Sequence, residues 1–301
     1  ADETAAILAN AAKSPALHTA PEGYDQNDFN KVRTFLEQTD SNGIRNGEKL
    51  NPDGYDPDDP ESWGALFVDE WGFEHEAYFE EVDGINRMFA INLTYIKDFA
   101  GTFDMSGLDA LSTLDVDGGN FTTADLSNCY EMTHCYFANS TLSSVNFFNC
   151  ANVTELYLQD NELTEVLNLG DCTSLIFLDI LMNSDLEEID LSGCERIIEH
   201  LDFSQTKVSD INETEMFALC EFSCESSGIT ELDLRNCNYL NYVNCNFCDM
   251  DFLYLPELPN NLAVNCMETG LTELNYENCG GIYDLSISGN PGLTGKLNLA
   301  S

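Results

Sequence analysis

The chain has 301 residues, 43% of them hydrophobic and 11% aromatic, which is enough apolar material for one elongated or two ordinary domains and excludes a disordered chain. Its 54 acidic residues face only 11 Lys plus Arg, a formal charge of -43, so nucleic acid and anionic membranes, which both require a basic face, are poor partners, and no nucleic-acid partner is expected. No apolar run approaches the roughly 18 residues of a membrane-spanning helix, and the first use of such acidity is to keep a long surface in solution.

Residues 1–85 read as a small N-terminal helical and loop cap. Ala5 to Ala12 is an alanine-rich, helix-prone run. From Asp28 to Gln38 the spacing puts Phe29, Val32, Phe35 and Leu36 on one helical face, with Asp25 or Asn27 placed to cap it. The loop from Asn51 to Glu61 is the densest group of hard oxygen ligands, and Asp53, Asp56, Asp58 and Asp59 form a weak calcium candidate. Their spacing departs from the EF-hand loop, and three prolines among acids favour a solvated loop. No metal or other cofactor is expected. Trp63-Gly64 and Trp71-Gly72 then lead into the first apolar strand pattern.

From residue 86 to 301 the sequence repeats. The segment from Val153 to Leu163 has the form LxxLxLxxNxL, and the second residue of its LxL pair recurs at Leu93, Val116, Phe137, Leu158, Ile180, Phe203, Cys224, Cys245, Cys266 and Ile287, every 21 to 23 residues. Two residues earlier stand Ile91, Leu114, Cys135, Leu156, Leu178, Leu201, Phe222, Val243, Val264 and Leu285. Strand residues two apart share a face, so both columns point inward and about ten stacked coils bury a core that no single coil could. A second apolar pair follows about ten residues later, as in Leu167-Asn168-Leu169 and Leu232-Asp233-Leu234. Ile211 to Met216 stands where an LDLxxC segment is expected, and Leu258 where a Cys is expected, so an irregularity is predicted on the back face near residues 211 to 220.

This pattern resembles the leucine-rich-repeat proteins, specifically the 21-residue bacterial extracellular type called IRREKO. The resemblance implies a right-handed, β-rich repeat solenoid whose parallel strands line a concave, ligand-binding face. The cap is similar to the leader of extracellular repeat proteins, although their pair of capping cysteines is absent. The chain opens at Ala1 without a Met, as a processed or trimmed chain does, so a signal peptide or lipid anchor would lie outside it; the location that the resemblance implies is extracellular or anchored at a cell surface.

Twelve cysteines would suggest disulfides or zinc in another context. Here Cys129, Cys150, Cys172, Cys194, Cys237 and Cys279 occupy one repeat column, Cys224, Cys245 and Cys266 the inward column, and Cys248 the position of Asn161, Asn183 and Asn290. They read as buried structural thiols.

The sequence lacks HExxH, GxSxG, P-loop and dinucleotide-binding patterns, and an acid close to His200, such as Asp202, is unremarkable in so acidic a chain, so no enzyme activity is expected. The outward positions are more informative. Tyr136, Tyr157, Phe177 and Leu181 cluster on three consecutive coils, with His134, Glu155, Asp179, His200 and Asp202 around them. Bulky outward side chains also serve strand formation alone, but an aromatic patch ringed by acids is the composition of an interface hot spot. Three readings follow: a binding or adhesion module for a protein partner, possibly basic; a carbohydrate-binding surface protein; and a structural spacer.

Overall fold

The computed structural model describes residues 18–63, 67–68, 74–94, 99–257, 261–275 and 281–293. The predicted Ala5 to Ala12 helix, Trp71-Gly72, Leu258 and Cys279 lie outside the described residues.

The first helix runs Gln26–Leu36, and Asp25 starts it by accepting the N–H groups of Asn27 and Asp28 at 2.8 and 3.1 Å. Its apolar face is buried as the spacing predicts: Phe29 stacks on Trp63 at 5.2 Å, and Phe35 meets Phe99, Phe103 and Phe121 of the first coils at 5.4 to 5.8 Å. Two fully buried polar residues fix how the helical segment seats on the coils. Asn46, at the start of the short Asn46–Leu50 helix, donates to the carbonyls of Phe35 and Ala100 and accepts the Ala100 N–H at 2.8 Å. Asp28 accepts from Arg87 Nε and the Met88 N–H, both at 2.9 Å, while Arg87 also bonds Asp109. Burial pushes the Asp28 carboxyl up, and those same donors pull it back toward ionisation.

The coils begin on an antiparallel hairpin, Glu74–Val82 with Ile85–Asn92. Nine parallel pairings then carry the sheet through Thr113–Asp115, His134–Tyr136, Glu155–Tyr157, Phe177–Asp179, His200–Asp202, Glu221–Ser223, Tyr242–Asn244 and Leu262–Asn265 to Ile282–Ser286. With the two-residue strand Phe67–Val68 at its start, the long sheet has twelve strands. The chain folds as a parallel β-solenoid of about nine turns. Both predicted inward columns are buried from Ile91 to Cys266, and only at the last described coil are Leu285 and Ile287 half-buried.

Three further columns hold each coil. Two residues past the inward pair the backbone turns through positive φ at Gly118, Asn139, Asp160, Met182, Gln205, Ser226, Phe247, Glu268 and Gly289. Only two of these nine are glycine, so most coils carry some strain there. The next residue is the buried polar one. Asn183, fully buried, donates to the carbonyls of Leu158 and Ile180 and accepts the Leu163 N–H; Asn161 does the same for Phe137, Leu158 and Leu142. Cys248 takes this place later on, its thiol donating to the Cys224 carbonyl at 3.0 Å.

The cysteine column works similarly. Cys129 and Cys150 donate to the carbonyls of Met105 and Leu126 at 3.3 and 3.1 Å, and every cysteine among the described residues is free. Burial pushes the Cys150 thiol up to about 11 and those of Cys194 and Cys237 to about 12, which keeps them protonated donors.

The back of the solenoid carries three short parallel sheets rather than one. The break after Asp185–Asp190 falls where the sequence predicts it. There the chain forms a single 3-10 turn, Glu213–Glu215, and Met216 fills the buried position held elsewhere by cysteine.

Candidate binding face

The outward side chains of the long sheet are set by strand alternation. In each three-residue strand from Thr113–Asp115 to His200–Asp202 the middle residue is buried and its neighbours are half-exposed. Tyr136, Tyr157, Phe177 and His200 therefore stand on one face, and the spacing of paired strands lets their rings touch. Tyr136 and Tyr157 stack at 4.7 Å with planes 17° apart, Tyr157 and Phe177 meet at 4.7 Å and 30°, and Phe177 and His200 stack at 4.1 Å and 4°. His134 extends the row beyond Tyr136 at 6.4 Å.

The row does not follow the strand register throughout. Tyr136 pairs with Tyr157 and Phe177 with His200, but Tyr157 lies opposite Asp179, so its ring reaches diagonally to Phe177. Aromatic side chains are long enough to span that diagonal. The stack thus passes from one outward column to the other, which leaves Asp179 and Asp202 side by side along one flank, paired in register.

Carboxylates anchor both ends. At one end Glu155 receives the Tyr136 hydroxyl at 3.4 Å and lies 3.6 Å from His134 Nε2. At the other, His200 Nδ1 sits 3.0 Å from Glu221 Oε2. Glu221 stands in the same outward column as His200, directly opposite it in the coil register, and lies outside the patch predicted from the sequence. Asp179 accepts the Leu181 N–H at 3.1 Å and Asp202 the Ser204 N–H at 2.8 Å. Burial, with the neighbouring Asp202 adding to it, raises the Asp179 carboxyl above the ordinary aspartate range. Burial first and Glu155 second also raise the Tyr136 and Tyr157 phenols, so both hydroxyls remain donors.

Leu181, expected in the aromatic patch, is half-buried two residues past the strand and makes no part of the ring row. His134 Nδ1 lies 2.8 Å from the Thr133 hydroxyl, but that hydroxyl also contacts the Ser112 carbonyl at 3.2 Å, a contact that ties neighbouring coils together.

Three carboxylates of the weak calcium candidate, Asp56, Asp58 and Asp59, point to separate partners. Asp56 accepts the Asp58 N–H at 2.9 Å, Asp59 accepts the Glu61 N–H at 3.1 Å, and Asp58 faces Arg33 at 3.3 Å and His18 at 3.5 Å. Among the described residues no three metal-ligating side chains converge.

No family model and no curated protein matches this chain. Solved structures do resemble it in outline. A leucine-rich-repeat protein of Leptospira interrogans aligns with 62% of this chain and 54% of its own, at 16% identity and a TM-score of 0.49. The functional domain of InlJ from Listeria monocytogenes, described as including a cysteine ladder, aligns over 62% of this chain and 43% of its own, at 21% identity and a TM-score of 0.38. An internalin, InlF, of Listeria monocytogenes covers 91% of this chain and 79% of its own, at 14% identity and a TM-score of 0.41. The chain thus spans about half the length of the first two.

Proposed function

We propose that this chain is a non-enzymatic binding or adhesion module, secreted or displayed at a cell surface in the manner of the 21-residue extracellular repeat proteins, and that the aromatic row receives a protein partner. The observation that carries this reading is the packing of the rings upon one another. At 4.1 to 4.7 Å between centroids, the faces of Tyr157 and Phe177 are occupied by their neighbours, and what they offer outward is edges and tips. A sugar stacks on an open ring face, whereas protein side chains insert against ring edges, so the geometry favours a protein over a glycan. The surrounding carboxylates of Glu155, Asp179, Asp202 and Glu221 favour a partner that brings Lys or Arg.

Among the described residues no helix is long and apolar enough to cross a membrane. The proposed calcium role of Asp53, Asp56, Asp58 and Asp59 finds no support in the loop's own hydrogen bonding.

The experiment compares the protein with its Tyr157→Ala/Phe177→Ala variant on a panel of purified extracellular proteins and on a glycan array. The expected result is a protein ligand that the variant loses, with affinity falling as salt rises. A glycan ligand insensitive to salt, or a protein ligand bound equally by the variant, refutes the reading.

A further inference from the structure

The interruption of the back sheet leaves an open strand edge. Asp185–Asp190 is paired on one side, with Thr164–Asn168. On its other side one backbone bond is made among the described residues, from the Lys207 N–H to the Leu186 carbonyl at 2.8 Å. Beyond it the next coil swings away. Ser209 to Asn212 make no backbone bond to Glu187–Asp190; side chains alone tie this segment back to the near coil, Asn212 Nδ2 to Glu195 at 3.1 Å and Glu215 to Arg196 at 2.7 Å, and the far coil holds it as well. Glu213 Oε1 accepts the Asp233 N–H at 3.1 Å, and the Thr214 carbonyl accepts Asn236 Nδ2 at 3.1 Å. Between the two lies a groove of about 550 Å³ lined by Glu187, Glu188, Ile189, Ser209, Asp210 and Ile211.

Its chemistry is specific. Ile189 and Ile211 are nearly buried and form an apolar floor, whereas Glu187, Glu188 and Asp210 are exposed along the rim. The two cations nearby are already engaged, Lys207 with Asp185 and Arg196 with Glu215 at 2.7 Å. Further along the back face Glu231–Asp233, Phe252–Tyr254 and Glu273–Asn275 pair strand upon strand without a gap, while the other break, between Ser144–Asn146 and Thr164–Asn168, lies on the far side of this pair.

We infer that this groove takes an extended, basic peptide segment, which adds as a strand to the free edge of Asp185–Asp190. Its backbone would bond that edge, alternate apolar side chains would settle on Ile189 and Ile211, and the intervening Lys or Arg side chains would meet Glu187, Glu188 and Asp210. The inference is independent of the aromatic row on the opposite sheet.

The probe is a fluorescein-labelled peptide of alternating Lys and Val, about eight residues long, within the usual strand range of about 3–10 residues, read by fluorescence anisotropy. Four comparisons decide the matter. Glu187→Lys/Glu188→Lys is expected to weaken binding at least about tenfold, the scale of two lost charge pairs. Glu131→Lys/Glu273→Lys, which changes net charge equally at remote exposed sites, is expected to bind as the parent does. A peptide N-methylated at alternate residues, keeping its charge but lacking backbone donors, is expected to lose binding. Tyr157→Ala/Phe177→Ala is expected to retain it. Amide exchange in Glu187–Asp190 should slow when the peptide is added. Equal binding by both charge-reversal variants, undiminished binding of the N-methylated peptide, or no detectable binding overturns the inference; the first would assign the attraction to net charge alone.

Discussion

Replacing Asn183 by Ala tests what holds one coil to the next. The Asn183 side chain is fully buried and makes three bonds: it donates to Leu158 and Ile180 carbonyls at 3.0 and 2.9 Å and accepts the Leu163 N–H at 3.1 Å. The Leu158 carbonyl keeps a second donor, Asn161 Nδ2 at 2.9 Å, so truncation orphans two groups, the Leu163 N–H and the Ile180 carbonyl. A buried polar group left without a partner costs about 1–3 kcal/mol, which puts the loss at roughly 2–6 kcal/mol, less whatever a water entering the space recovers. Because each coil touches only its neighbours, the damage should concentrate around residues 158 to 183 before it appears in the whole chain. Urea unfolding followed by circular dichroism gives the global loss, and amide exchange gives the local one at Leu163. A destabilisation below about 1 kcal/mol with Leu163 still protected would show that the asparagine column fills space and does not bind the coils, contrary to the accounting of buried polar groups.

Three other perturbations probe separate parts of the molecule. Phe247 has φ of 60° and is half-exposed, in a column whose first and last members are glycine, so Phe247→Gly should raise the urea midpoint by the equivalent of about 1 kcal/mol; an unchanged or lower midpoint would mean its ring packs more than the strain costs. The column thiols, pushed up to about 11 or 12 by burial, should react with a thiol reagent at pH 8 only after denaturation, and fast labelling of native Cys150 would contradict the buried-donor assignment. The Asp179 carboxyl is raised above its unfolded value, so the folded state binds that proton more tightly. Stability should therefore increase as pH falls through the window just above the ordinary aspartate range, and Asp179→Asn should flatten that rise; equal slopes in thermal melts of the two proteins would refute the assignment.

The 21-to-23-residue recurrence by itself determined the inside and outside of nearly every coil, because strand alternation and stacking leave one way to bury both members of an LxL pair. It likewise accounted for nearly all the cysteines, and the degenerate Ile211 to Met216 segment marked one of the two places where the back sheet breaks. What it did not decide were contacts between columns. Tyr157 reaches Phe177 across the register, Leu181 falls outside the row, and His200 closes the stack against Glu221, all of which depend on side-chain direction and strand spacing rather than on period. The docking of the N-terminal helical segment on the first coils through Asn46 and the Asp28–Arg87 pair was equally invisible, since the partners lie more than fifty residues apart. The open edge at Asp185–Asp190 belongs to the same class: a sequence marks a missing repeat, but only the fold shows which backbone groups that absence leaves unpaired and what lines the space beside them.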